Sequence, residues 1–316
     1  MDCGRKRQGL VVQIFAGVSG KGQASVAGYF GGGYNAGFKS LIDKITFPAD
    51  TKTTLSATLT TARANTFSMA NSGVAGYFVA GSGSVGDLTG IDKITFPGDA
   101  KSTLAAVLAT ARSAGTGISN TGVAGYAWAG DGALTSIEKL SFASETVSAV
   151  VATPTTGVSY LGSMSNFGVA GYAGGGGIGT QLNGIDKLAF PADTKSTLVA
   201  VLSFPRYGLA GFADSGVAGY FAGGYDNATS YVTAIDKITF PAETKSTLSA
   251  VFTGGAYDTS AMADSGVAGY IGGGYEGSYV SRIIKIAFPS DTKSTLTATL
   301  TNAISDLSGF ADCGVF

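Results

Sequence analysis

The sequence predicts an all-β chain of six four-stranded antiparallel units. One string recurs six times, a second landmark recurs in step with it, and no stretch carries the 3.6-residue period of a helix. The string VAGY begins at Val26, Val74, Val123, Val169, Val217 and Val267, at steps of 46 to 50 residues. The second landmark is the Phe that closes strings such as IDKITF, at Phe47, Phe96, Phe142, Phe190, Phe240 and Phe288. From each Phe to the next Val the interval is 27 residues every time, the last ending at Val315, whereas the interval from Val to Phe varies from 19 to 23.

The fifth unit shows how the elements follow one another. Residues 207–213 (YGLAGFA) alternate small and apolar side chains and predict strand a, which ends at Asp214-Ser215-Gly216. An Asx, a small polar residue and a Gly suit a tight hairpin loop whose Gly takes positive φ without steric cost. Strand b is 217–222, stopped by Gly223-Gly224. Strand c is 235–240, ended by Pro241, which cannot donate to a ladder. After the polar turn 243–246, strand d is placed at 247–252.

Composition narrows the functional classes. Gly supplies 49 of 316 residues, about 15% against a usual 7% or so. Hydrophobic residues make up 45% and charged residues 13%, so the chain can build a core and is not a disordered polyelectrolyte. The net charge of -1 lacks the basic excess that binds nucleic acid or an anionic membrane surface. There is no His and there are only two Cys. The commonest general base and metal ligand are therefore missing, and no Cys cluster for zinc exists.

Four-stranded repeats of 40 to 50 residues are the signature of β-propeller blades, because one small twisted sheet cannot bury both faces alone. The expected architecture is thus a six-bladed β-propeller over residues 25–316, with 1–24 an N-terminal extension or added strand. Residues 306–311 (DLSGFA) form a strand a with no strand b of their own, while the stretch before Val26 (16–23, AGVSGKGQ) is loop-like. The C-terminal strand is therefore expected to complete the first blade, which removes an exposed edge. Cys3 and Cys313 fall near that seam. The plainer reading is two unpaired thiols; the other is a disulfide closing the chain on itself. Residues 10–16 (LVVQIFA), behind Arg5-Lys6-Arg7, read either as a short secretory h-region or as an added strand.

The arrangement of Tyr220 followed by Gly223-Gly224, repeated at Tyr172 with Gly175-Gly176 and Tyr270 with Gly273-Gly274, and preceded by an Asx-x-Gly turn and by Pro205-Arg206, resembles the kelch repeat. Its Gly pair is Ala-Gly at Ala80-Gly81 and Ala129-Gly130, and the outer-strand Trp of kelch is missing, Trp128 being the only Trp. More loosely, the units resemble propeller-like repeats in tail-fibre and structural proteins of marine bacteriophages. The resemblance implies a binding or structural role at a virion surface or outside the cell.

Catalytic constellations are absent from the sequence. Gly17 to Gly22 (GVSGKG) fails as a phosphate loop, since Phe15 stands where the first Gly is needed and Gly22 where Ser or Thr is needed. Asp43, Asp92, Glu138, Asp186 and Asp236 each precede a Lys and recur per unit, so they read as exposed charge pairs or turn ligands. Asp50, Asp193 and Asp291, one acid per turn, are too few for calcium. Tyr29, Tyr77, Tyr126, Tyr172, Tyr220 and Tyr270 share one slot and read as core residues with satisfied hydroxyls. No catalytic residue, metal or cofactor is expected.

In such a meander the a-b and c-d turns leave one face, and the b-c and d-a connections leave the other. The first pair is nearly uniform, as in 47–55 (FPADTKTTL) and 240–248 (FPAETKSTL); the second pair is individual. Binding surfaces of repeat proteins sit where insertions map, although neutral drift in exposed loops leaves the same trace. The expected ligand face carries Tyr34, Phe38, Tyr225, Asn227, Tyr231, Tyr275, Tyr279 and Arg282. The expected function is a non-catalytic scaffold, an adhesin or receptor-binding module, recognising a cell-surface glycan or protein. The alternative is a purely structural subunit of a virion fibre, decoration or extracellular assembly, packing against other chains. Neither nucleic-acid binding nor membrane insertion is expected.

Overall fold

Gly- and Ala-rich strands can approach one another more closely than strands with larger side chains, and the chain uses this to stack small sheets side by side. The structure, a computed structural model, describes residues 26–226, 230–250, 252 and 254–312. The N-terminal 25 residues, Asn227, Cys3 and Cys313 lie outside them, and with them the expectations for an N-terminal strand and a closing disulfide. Among the described residues there is no helix, and the strands form repeated antiparallel four-stranded sheets, six in number, with a three-stranded and a two-stranded ribbon beside them.

In the fifth sheet the order is Ala210–Asp214, Ala218–Ala222, Ile235–Thr239 and Lys245–Thr247. The first two strands are wholly buried, the third shows alternate burial and the fourth is mostly exposed. Two expectations are corrected here. Strand d begins at Lys245 rather than 247 and ends well before Phe252, because the reversal is completed at Glu243, which takes a φ of 54°. Strand a begins at Ala210, which leaves Tyr207 and Gly208 in the d-a connection. The first sheet takes its strand a from the other end of the chain: Ser308–Ala311 pairs with Ala27–Gly31, Tyr29 opposite Phe310.

Neighbouring sheets are joined by one device, repeated six times. The strand-b tyrosines 29, 77, 126, 172, 220 and 270 stack on the strand-c phenylalanines of the following sheet, Phe96, Phe142, Phe190, Phe240, Phe288 and Phe47, with ring centroids 4.6 to 5.4 Å apart. Each hydroxyl donates to the acid in that following sheet's c-d turn: Asp99, Glu145, Asp193, Glu243, Asp291 and Asp50 in turn. The same six acids take an ion pair at 2.5 to 2.7 Å from Lys44, Lys93, Lys139, Lys187, Lys237 and Lys285. The tyrosine reading holds, and the sixth set returns to Asp50 of the first sheet. Asp50, Asp193 and Asp291 thus bind Tyr and Lys of the preceding sheet, which is the structural reason they recur.

Of the two readings of the strand-c acids, the exposed charge pair is corrected, and what the acids do is bind a connection. An acid and the Lys next to it on a strand point to opposite faces, so they cannot pair. The Lys reaches the next sheet, and the acid turns the other way into the core, where Asp43, Asp92, Glu138 and Asp236 are no more than 6% exposed. There each acid holds the d-a connection of the preceding unit. Asp236 accepts from the Ser203 amide at 2.8 Å and from Arg206 at 3.1 Å. Glu138 accepts from the Ala109 amide and from Arg112, each at 2.6 Å. Burial alone would raise the Asp92 carboxyl, but hydrogen bonds from Thr60, the Arg63 charge and Thr103 together hold it below the usual carboxylate range.

The inner strands touch backbone to backbone. A Cβ on Gly117 would overlap the Ser68 carbonyl of the preceding sheet, whereas one on Gly98, in a c-d turn, would meet nothing within 4 Å. Overpacking of this kind costs about 1 to 3 kcal/mol, and more where backbone must yield. Gly117→Ala should therefore lower the urea midpoint by at least that equivalent, while Gly98→Ala leaves it within about 0.5 kcal/mol of the parent; equal effects of the two would show that the inner strands are not closely apposed.

Candidate functional site

Just before each strand a lies a residue held at positive φ: Asn65, Ala114, Tyr160, Gly208, Asp258 and Asp306, with φ between 53° and 65°. That conformation turns the amide of each toward the same residue of the preceding unit. The Asn65 amide donates to Asp306 O, Asp306 to Asp258, Asp258 to Gly208, Gly208 to Tyr160, Tyr160 to Ala114, and Ala114 back to Asn65, at 2.5 to 3.1 Å. The six residues form a cycle that rims a well of about 90 Å³ lined from all six sheets. Because backbone alone makes the cycle, its side chains can differ, and they do.

Two of those side chains are acids. Burial, then the Asp306 charge and the hydrogen bond to it, raises the Asp258 carboxyl well above the usual range. Burial raises Asp306 as well, against hydrogen bonds with Ser305 and Asp258 that lower it. Each carboxyl is thus set by burial and by the other, and Asp258 is the one raised further. Tyr160, on the same rim, is pushed up to about 12 by burial and then by Asp258, Asp306 and Asp131.

Outside the rim runs a belt of aromatic rings. Gly223 and Gly224, at φ of 68° and 99°, turn the chain out of strand b so that Tyr225 exchanges both backbone hydrogen bonds with Tyr207. Tyr275 does the same with Tyr257 after Gly273-Gly274, and Tyr34 with Ser305 after Gly32-Gly33. The rings then touch in series: Tyr160 with Tyr207 at 5.9 Å, Tyr207 with Tyr225 and Tyr257 at 5.8 Å, Tyr225 with Tyr231 at 5.7 Å, Tyr257 with Tyr275 at 5.8 Å. The belt continues through Tyr275 and Tyr279 at 5.3 Å, Tyr279 and Tyr34 at 6.4 Å, and Tyr34 and Phe38 at 5.4 Å. All nine rings are at least partly exposed. The corresponding slots of the second and third units hold Ser82 and Asp131, so the belt covers one side of the face.

The structure therefore brings together Tyr34, Phe38, Tyr225, Tyr231, Tyr275 and Tyr279. It shows Arg282 elsewhere in purpose: the guanidinium is clasped by both oxygens of Glu276 at 2.6 and 2.7 Å and lies over the Phe252 ring. Sequence reasoning missed Tyr160, Tyr207, Tyr257, Asp258 and Asp306. The d-a connections were already visible as individual, but Tyr207 and Asp306 were counted into strand a. On the opposite, uniform face one Val per unit, Val26, Val74, Val123, Val169, Val217 and Val267, stays 40 to 57% exposed just before strand b. Among the described residues no group of three or more acids or thiols is placed to hold a metal, and no helix is long and apolar enough to cross a membrane.

No protein-family model and no curated protein matches the chain.

The raised Asp258 carboxyl has a consequence for stability. A carboxyl whose folded pKa exceeds its unfolded value contributes most at low pH, and that contribution is lost as pH rises from the unfolded toward the folded pKa. Asn mimics the protonated acid and does not titrate. Asp258→Asn should raise Tm relative to the parent at pH 8 and leave a smaller difference at pH 4, measured by calorimetry; a difference independent of pH would place the proton elsewhere.

Proposed function

We propose that the chain is a six-bladed, kelch-like β-propeller, the strand Ser308–Ala311 completing the first blade, and that it acts as a non-catalytic binding module. The ring reading is supported by three sets of contacts that run from sheet to sheet and return to the first: the tyrosine stacks, the Tyr and Lys bonds to the turn acids, and the backbone cycle.

The binding reading is carried by the belt of nine touching aromatic rings on the individual face. Buried repeats of Tyr solve a packing problem six times over; these rings recur in only some of the units, are partly exposed and cluster on one side. A bulky side chain at positive φ is uncommon, and such outliers collect at functional sites. Tyr160 is one, at φ 59°, where the belt meets the well. Flat amphipathic rings on a rigid frame lose little entropy on contact and present a face for stacking on sugar rings and a hydroxyl for hydrogen bonding. The partner is accordingly a cell-surface glycan, and the module serves as an adhesin or receptor-binding component at an extracellular or virion surface.

Removing an anchoring aromatic costs about 2 kcal/mol, near thirtyfold in affinity. Tyr225→Ala and Tyr275→Ala should each weaken binding to the hits of a glycan array by that order; unchanged binding in both variants would remove the belt as the recognition surface.

The structural-subunit reading draws on a different observation, the ring of exposed valines on the uniform face. Six equivalent apolar spots suit contact with other chains of an assembly. If they are buried in one, Val217→Asp together with Val267→Asp should lower the mass measured by light scattering of the native particle; a parent chain already monomeric in that measurement would end this reading.

A further inference from the structure

Among the described residues, strand d of each four-stranded sheet has no further strand beside it. Such an edge is a template for pairing with another chain, and proteins blunt it with short strands, with bulges, or with charges, Lys above all, that point inward. Five of the six edges here are blunted in these ways. In the first, second, fourth and fifth sheets strand d has only three or four residues. Each carries a Lys, Lys52, Lys101, Lys195 or Lys245, turned inward to a strand-c acid at 3.0 to 3.4 Å. In the sixth sheet the strand is longer, Thr292–Thr299, but it carries Lys293 and its register shifts at a bulge between Arg282 and Ile284.

The third sheet lacks all of these devices. Its strand d, Thr146–Val150, pairs without a shift along the whole of Ile137–Ser141. Val147 stands in the slot of the lysines: it lies opposite Leu140 as Lys52 lies opposite Ile45 and Lys195 opposite Leu188. The run 146–151 (TVSAVV) holds no charge, no Pro and no Gly, and its last residue, Val151, is 99% exposed. Short uncharged segments of high β-propensity are those that pair with their own kind.

Backbone direction sets the register. In the slot of Val150 the amides of Leu55, Leu104 and Leu198 donate inward to strand c. Backbone groups alternate in side along a strand, so Thr146, Ser148 and Val150 turn theirs inward, and Val147 and Ala149 turn theirs outward. A second copy rotated half a turn about Ser148 brings Val147 of each chain opposite Ala149 of the other, and each such pair exchanges both backbone hydrogen bonds. Thr146 then meets Val150, and no like charges face each other. The same edge is used by both copies and none is left open, so the assembly closes at two.

We propose that the outer edge of the third sheet is an interface with a second copy of this chain, the two strands pairing antiparallel about Ser148. The joint does not depend on what the aromatic belt binds. With five residues from each copy it is small, and the dimer is a transient one.

Sedimentation velocity on the full chain, from about 1 µM to about 1 mM, covers the range of a transient interface. Val147→Lys supplies the residue that the other edges carry, and Ala149→Pro removes an outward amide at a place where an edge strand accepts Pro. Thermal melts establish that both variants are folded. The parent should pass from monomer to dimer within that range, and each variant should weaken the dimer by about tenfold or more. A third variant, Ser148→Cys, reads the register. Opposed residues of a non-hydrogen-bonded pair have Cα atoms about 4.5 Å apart, close enough for a disulfide. Mild oxidation should therefore link this peptide to itself, resolved by mass spectrometry from any product of Cys3 or Cys313. A parent that stays monomeric throughout, a dimer unchanged in both edge variants, or a dimer that gives no self-linked peptide overturns the proposal; a monomer that instead pairs with a strand of another protein at this edge replaces the second copy and overturns it too.

Discussion

A tyrosine hydroxyl at the centre of a buried strand must find an acceptor, and in this fold that acceptor is offered only by the next sheet. Each strand-b Tyr lies 1% exposed or less, stacks on a Phe of its neighbour and donates to an acid in that neighbour's c-d turn. The acid is held in turn by a Lys on the Tyr's own sheet. An isolated sheet would leave an apolar face bare, a phenol unsatisfied and two charges unpaired. Stability is thus a property of the junctions, and the sequence of the junctions is what the chain repeats.

Repetition at the junctions leaves other positions open. The backbone cycle around the well needs only a residue that tolerates positive φ, and Asn, Ala, Tyr, Gly and Asp all fill it. The structural work there is done by amide and carbonyl, so side-chain identity is available for something else. The same holds after the Gly pair of each unit, where backbone exchange between Tyr225 and Tyr207 or Tyr275 and Tyr257 fixes the chain whatever the side chain. Individual residues therefore accumulate on one face, next to a well with two acids. The opposite face, made of a-b and c-d turns, is tied into the junctions and stays uniform.

Buried charge follows the same division. Arg63, Arg112 and Arg206 are almost fully buried, and each is paired with a strand-c acid that also accepts a backbone amide. Such sets are costly to break, because the partner left behind is an unpaired buried charge. In the sixth unit Ile284 stands in the acid's place, an apolar exchange that avoids an orphaned partner. Asp258 and Asp306 differ from these acids in being set by each other rather than by a cation.

The period, the invariant 27-residue interval and the alternation of small and apolar residues determined the antiparallel sheets, the burial of the repeated tyrosines and the pairing of the C-terminal strand with the first, because these depend on local pattern and on length. The gathering of Tyr34, Phe38, Tyr225, Tyr231, Tyr275 and Tyr279 followed from knowing which connections share a face. Other features needed the tertiary structure. Adjacent Asp and Lys in strand c look like a local pair, yet pleating sends them to different sheets. Asp258 and Asp306 look like the start of a strand, and only the positive φ that goes with a hydrogen bond to another unit, about 50 residues away in sequence for Asp258 and Gly208, shows them to be a rim. Contacts between units carry no local signature, so the well and its acids were decided by the packing of neighbouring units rather than by any one repeat.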